Sequence, residues 1–171
     1  MYSRVSTGFL LGSLLFFYQS VVVAANKQVI GWLETIHIGE AKLSLHAKID
    51  TGADNSSIKA KILKKFERNG EEWVRFSISD RHDHSAVIER KVLRYADIKR
   101  KMALPIRRPV VQLWICLGNI SRDVEVNLAA RKNFKYHMLI GRSFLKGKYL
   151  VDSEQQYTST PTCPGIQGDS R

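Results

Sequence analysis

The stretch Ala47-Lys48-Ile49-Asp50-Thr51-Gly52-Ala53-Asp54 decides how the rest of the chain is read. Upstream of it, Leu43, Leu45, Ala47 and Ile49 share one parity, the pattern of a strand with one buried face. That strand delivers the chain to the Asp50 carboxylate. Gly52 then suggests a tight turn, because glycine reaches backbone angles that side chains disfavour. An acid held by a turn at the end of a buried strand is a candidate reactive group. Asp and Gly are also ordinary turn residues, so Asp-x-Gly alone fits a plain strand end as well.

A second stretch supplies what the first lacks. Met138-Leu139-Ile140-Gly141-Arg142-Ser143-Phe144-Leu145 is an apolar run, then Gly-Arg, then a short amphipathic segment. An apolar-Asp-Thr-Gly-Ala segment followed by apolar-apolar-Gly-Arg-x-x-Leu resembles the retropepsin-like aspartic proteases. The likeness is closer to a bacterial branch labelled ATP-dependent zinc protease. It extends to Ile30-Gly31-Trp32, to Phe66-Glu67-Arg68-Asn69-Gly70 with Trp73-Val74-Arg75-Phe76, to Arg107-Arg108-Pro109-Val110, and to Leu150-Val151-Asp152. It covers residues 29–152.

The resemblance implies an all-β fold: a closed acid-protease barrel with one short helix, active as a two-fold dimer. It implies an aspartic endopeptidase with Asp50 as the catalytic residue. Thr51 would bind the neighbouring subunit's loop. Gly52, with Ala53, would let the backbone pass close to substrate. Gly141 would pack beneath the Asp50 loop, and Asp54 and Arg142 would form an ion pair beside the site. The bacterial branch more often carries a basic or polar residue at Asp54, so this chain looks more retroviral there. Retropepsins also close over substrate with a glycine-rich hairpin. The Asn69-Gly70 hairpin and the polar loop at 79–85 are candidates for it, and neither is glycine-rich.

Aspartic catalysis needs two carboxylates about 3 Å apart sharing a proton. The chain holds one Asp-Thr-Gly and is too short for two lobes. Asp152-Ser153-Glu154 and Asp169-Ser170-Arg171 lack the glycine. The expectation is therefore a homodimer, with one Asp50 from each copy meeting across a two-fold axis. No metal or cofactor is expected. His82-Asp83-His84 near Asp80 has chelating spacing but also fits an exposed polar loop. There is no His-Glu-x-x-His and no phosphate loop.

The chain has 171 residues, room for one domain of ordinary size. Its formal net charge of +11 favours acidic partners: an acidic polypeptide, an anionic membrane face or nucleic acid. Residues 1–25 read as a signal peptide. Arg4 supplies the positive start, an apolar core follows, and Val23-Ala24-Ala25 offers small residues for cleavage. The alternative is an uncleaved N-terminal anchor. Either reading places the folded part outside the cytoplasm, periplasmic or secreted, and argues against nucleic acid. Residues 26–154 form the protease-like domain. Residues 155–171, rich in Ser, Thr, Pro and Gly without periodicity, read as a disordered tail. Cys116 and Cys163 are too few for a disulfide scaffold. An oxidising compartment permits a bond between them; the plainer reading is a buried free thiol and a mobile tail cysteine.

Along the chain, alternation predicts strands at 29–38, 41–50, 86–95, 111–117, 124–128, 136–140 and 148–152, with a short helix at 142–145. Residues 56–65 are ambiguous: Ile58, Ile62 and Phe66 fit a helix period, while the resemblance favours strands. The basic residues there read as a solvated face. Asn69-Gly70 is a two-residue hairpin turn that places Phe66 opposite Trp73 and Glu67 opposite Glu72. Residues 99–109, basic with two prolines, read as an extended loop.

The expected activity is peptide-bond hydrolysis by a water activated between Asp50 and its copy. Relatives often accompany glutamate ligases, so acidic or glutamate-rich peptides are the expected substrates. The alternative is a catalytically silent module of the same fold that dimerises and binds a peptide or a membrane-associated complex.

Overall fold

The computed structural model describes residues 26–100, 103–130 and 135–164. Its strands are β1 (Gln28–Ile38), β2 (Leu43–Ile49), β3 (Ser56–Lys59), β4 (Lys61–Arg68), β5 (Glu71–Ser79) and β6 (Ser85–Lys91), then β7 (Arg94–Arg100), β8 (Ala103–Leu117), β9 (Ile120–Ala129), β10 (Met138–Ile140) and β11 (Tyr149–Gln156). One short helix, α1 (Arg142–Leu145), follows β10.

Strands β1, β2, β10, β3, β9 and β8 are successive neighbours. β8 then pairs back onto β1, Ile36 to Ile38 against Leu117 to Ile115, which closes the ring into a barrel. Closure gives each of those strands a neighbour on both sides within the ring, whereas the 103–109 half of β8 extends beyond it and pairs with β7 alone. β11 adds to the outside of β1, and β7 to the outside of β8. The residues of the opening stretch point inward and outward in turn, as alternation requires: Leu45, Ala47 and Ile49 are buried, with His46 half-buried and Lys48 exposed between them. Ile30, Ile36, Leu113, Ile115, Met138 and Ile140 meet them in the core. Each such side chain contributes about 1.5–3 kcal/mol by leaving water.

β4, β5 and β6 form a separate three-stranded sheet. The Asn69-Gly70 turn has positive φ at both residues, 54° and 75°, as a two-residue hairpin of this hand requires. Phe66 faces Trp73 and Glu67 faces Glu72, the predicted register. The ambiguous stretch 56–65 is strand, split between β3 and β4. Spacings of four satisfy a period of two as well as 3.6, so Ile58, Ile62 and Phe66 could not separate the two.

Three expectations are corrected. Residues 101–102 lie outside the described residues; 99–100 and 103–109 are strand, not the expected loop. They belong to a hairpin in which β7 and β8 pair from Arg94–Val110 to Arg100–Ala103. Prolines 105 and 109 suggested irregularity, but proline is tolerated where a strand has a partner on one side only. Secondly, the tail is ordered through its described part. β11 runs to Gln156, and residues 157–164 continue along the barrel; residues 165–171 lie outside the described residues, as does the 1–25 segment. Thirdly, Cys116 and Cys163 are joined in a disulfide, with Cα atoms 6.0 Å apart. Both are buried, so neither is a free thiol nor a mobile tail residue.

Candidate active site

β2 ends at Ile49, and its neighbour in the ring is β10, running parallel with Ile140 opposite Ile49. The two quoted motifs therefore leave the barrel side by side. The Asp50 N–H donates to the Ile140 carbonyl at 2.8 Å, which joins them at the strand ends. The chain then turns, with the Ala53 N–H bonded to the Asp50 carbonyl at 3.2 Å. Asp50 is half-buried, and its Oδ1 accepts the Gly52 N–H at 3.1 Å. Gly52 does not lie in the left-handed region. Its lack of a side chain matters for space: a Cβ there would sit 3.3 Å from the Asp50 Oδ1.

The second motif locks this turn from below. The Arg142 and Ser143 N–H groups donate to the Ala53 and Asp54 carbonyls, both at 2.9 Å. Arg142 Nη1 donates to the Thr51 and Gly52 carbonyls, each at 3.0 Å. A Cβ on Gly141 would lie 2.7–2.8 Å from the Asn55 and Asp54 carbonyl groups, so only glycine lets β10 pass beneath the loop. The Arg142–Asp54 pair exists, at 3.4 Å, but both side chains are exposed. Such a pair contributes little by itself. The grip of Arg142 is on the backbone of the turn. Thr51 is exposed beside it.

A buried polar relay, unread in the sequence, supports the same loop. The Gly141 N–H donates to Ser56 Oγ at 3.1 Å, Asn127 Nδ2 to the Ser56 carbonyl at 2.8 Å, and Arg108 Nη1 to Asn127 Oδ1 at 3.1 Å. Arg108 stood within a quoted segment, and Asn127 is a polar residue inside the apolar run Val126 to Ala129. Both were visible as anomalies, but only the barrel shows them meeting. Between this relay and the loop lies a cavity of about 280 Å³, lined by Ala53, Asp54 and Asn55 on one side and by Arg94, Ala96 and Ile98 of β7 on the other. The β7–β8 hairpin thus stands over the turn. Neither the Asn69-Gly70 hairpin nor the 79–85 loop lines that cavity.

A second cavity, about 590 Å³, opens on the other flank of the turn. Thr51, Arg142, Leu145, Tyr149, Leu150 and Val151 line it, beside the outer strand β11.

His82 and His84 both contact Asp80. The Asp80 carboxylate accepts the His82 and His84 N–H groups at 2.8 and 3.0 Å and the His84 Nδ1 at 2.9 Å. These contacts hold its pKa below the ordinary value against the opposing effect of burial. Among the described residues no group of three His, Cys, Asp or Glu is placed to hold a metal.

A family model described as RimB-like, Retropepsin-like aspartic endopeptidase RimB, matches residues 29–162. A "Probable alpha-L-glutamate ligase" of Shewanella pealeana is 33% identical over 150 residues, which is 84% of this chain and 31% of the relative. A protein of the same name from Desulfotalea psychrophila is 31% identical over 134 residues, 76% of this chain and 29% of that one. The chain thus spans under a third of the length of these relatives. A crystal structure of a Legionella pneumophila protein of unknown function superposes with a TM-score of 0.69 at 31% identity, covering 79% of this chain and 100% of that one.

Proposed function

The chain belongs to the RimB-like family of retropepsin-like aspartic endopeptidases, and from that membership we propose that it hydrolyses peptide bonds with Asp50 paired to its copy in a homodimer. The observation that carries this is the Asp50 turn itself. The carboxylate stands half-buried with one hydrogen bond from Gly52, on a loop held by Gly141 and Arg142, under the β7–β8 hairpin. Its remaining lone pairs are available to a proton and a water.

In the dimer one Asp50 is ionised and takes a proton from the attacking water. The other is protonated and donates to the scissile carbonyl. The tetrahedral intermediate then collapses as the amine leaves with a proton. The second copy docks along the β11 flank, where Leu150 is 52% exposed beside the groove lined by Thr51 and Tyr149. An outer strand with an apolar groove is a natural seat for a copy of itself. The β7–β8 hairpin serves as the flap; Leu104 and Ile106 on it are exposed and offer apolar surface to a bound chain.

Acidic peptides suit this site. Arg94 and Arg108 line the cavity under the hairpin, and the whole chain carries +11. The relatives named as glutamate ligases carry a similar segment within a longer protein, which makes glutamate-containing peptides the first substrates to try. The N-terminal segment supports a periplasmic or secreted location.

The test uses purified protein and its Asp50→Asn variant, given a diverse peptide mixture that includes glutamate-rich chains, from about pH 4 to 8 because a shared-proton dyad is pH-dependent. Cleavage that survives a metal chelator and vanishes in Asp50→Asn is expected. Absence of cleavage by folded, dimeric wild type would transfer the reading to a silent peptide-binding module.

A further inference from the structure

Away from the Asp50 turn, five segments of the chain converge on one cavity of about 330 Å³. His46 enters from β2, Arg81 from the loop after β5, Lys135 and His137 from the segment before β10, and Tyr157 from the tail. Leu33 and Leu45 supply apolar wall. The volume is at the lower end of ordinary small-ligand sites.

The polar groups here are arranged with one sign. Arg81 and Lys135 are cations. His137 Nδ1 lies 2.6 Å from the Ser79 carbonyl, which can only accept, so Nδ1 carries a proton and Nε2 is the ring's remaining polar atom. Asp80 is the one acid in the lining, and both its oxygens are already taken by His82 and His84. Arg81 and Lys135 outnumber this single acid, so the lining keeps an excess of positive charge. The field is felt by His46, whose pKa lies below the ordinary value through burial first, then through the positive charge of Arg81, His82 and His137.

The tail is built to complete this cavity. Tyr157 has φ of 53°, a conformation that aromatic residues rarely adopt. It is held there from both sides: its N–H donates to the Leu33 carbonyl at 2.7 Å, and the next two residues are clamped by buried Glu34. The Tyr157 hydroxyl consequently sits 2.9 Å from His46 Nδ1, with ring centroids 4.8 Å apart. Strain of this kind persists only where surrounding contacts over-determine it, and it concentrates at ligand sites.

We propose that this cavity binds a small anion of carboxylate or phosphate type, held by Arg81 and Lys135 with His46, His137 and Tyr157 as hydrogen-bonding partners. Arginine offers the fork that matches either group. Occupancy offsets the lining's excess of positive charge. The site stands on segments other than the Asp50 turn, so it holds whether or not Asp50 is catalytic. His46 and His137 both face the cavity, and binding strengthens as pH falls through the titration of His46. The charged or titratable groups facing them are Asp80, Arg81 and His82 from the loop after β5, Lys135 before β10 and Tyr157 from the tail.

The test titrates inorganic phosphate and, separately, glutarate into the purified protein at constant ionic strength, with chloride as the control, following the His46 and His137 ring signals by NMR. Saturable shifts are expected, with the His46 titration midpoint rising on occupancy. Arg81→Ala and Lys135→Ala should each weaken binding about tenfold, the equivalent of ~1.4 kcal/mol. Tyr157→Phe keeps the ring and removes the hydroxyl, and should weaken binding without unfolding the tail. Response to phosphate alone identifies a phosphoryl ligand; response to glutarate alone identifies a carboxylate such as an acidic side chain. Shifts no larger than those with chloride, or binding unchanged in the Arg81→Ala/Lys135→Ala double variant, would overturn the proposal.

Discussion

Glu34 and Asp50 are carboxylates on the same strand pair with opposite surroundings. Glu34 sits on β1 opposite Ala47 of β2 and is fully buried. Its two oxygens accept the N–H groups of Gly31, Thr158 and Ser159 and the hydroxyls of Thr158 and Ser159, at 2.6–3.1 Å. Asp50, at the far end of β2, accepts from Gly52. Burial opposes ionisation of Glu34, and the surrounding donors outweigh it, so its pKa lies below the ordinary value. The acid with every lone pair engaged is a fastener. The acid with lone pairs to spare is the one that can handle a proton. Buried acids are not thereby reactive acids; unspent hydrogen-bonding capacity is the better guide.

The widest separation between the two should appear in catalysis. Asp50→Asn is expected to lower peptide cleavage by about a thousandfold or more, in the range for losing a general acid–base group, with little change in melting temperature. Glu34→Gln should leave the cleavage rate per folded molecule intact. Equal losses in the two variants would dissolve the contrast.

Next in size is the second fastener of the tail. Cys116 and Cys163 are separated by 47 residues, and loop closure of that length is worth about 4 kcal/mol in the chain-entropy model. The double Ser variant, or the reduced protein, should show that loss as a lower urea midpoint. A midpoint unmoved by reduction would mean that Glu34 holds the tail unaided.

Glu34→Ala leaves buried donors unmatched and should cost about 2–3 kcal/mol, against less than about 1 kcal/mol for Asp50→Asn, measured by denaturant unfolding. The smallest effect is in pH. Because Glu34 has its pKa lowered on folding, the unfolded chain binds more protons than the folded one in the acid range. Its contribution is complete above the ordinary value of 4.5 and fades as pH falls through the lower folded value. Amide exchange at Thr158 and Ser159 should therefore accelerate on acidification before that of β2. Simultaneous release of both would contradict a locally titrating clasp.

Much of the site could be read before any fold was known. The strand into Asp50, its turn, the Gly-Arg segment and the Asn69-Gly70 register depend on neighbours close along the chain, where alternation and turn chemistry act. Gly141 was expected beneath the Asp50 loop, and the absent Cβ is what the carbonyls of Asp54 and Asn55 require. The hairpin of β7 and β8 was hidden by its prolines, because a strand paired on one side tolerates them and a loop favours them.

The tail marks the boundary between the two kinds of information. Alternation and turn residues specify a closed all-β fold, because each signal is local and repeated, and the resemblance carried by the two motifs implies that the Asp50 loop and Gly141-Arg142 lie together. Nothing local orders Thr158 and Ser159: they have no apolar period to bury. Their partner, Glu34, lies 124 residues from Thr158 and 125 from Ser159. A lone acid in an apolar strand does not announce which donors will reach it. Only closing the barrel brings β11 beside β1, sets the tail over Glu34, and brings Cys163 to Cys116. Hydrogen bonds to a buried charge are strong but leave no periodic trace in composition, so this order and the His46 cavity it completes emerge from the packed structure alone.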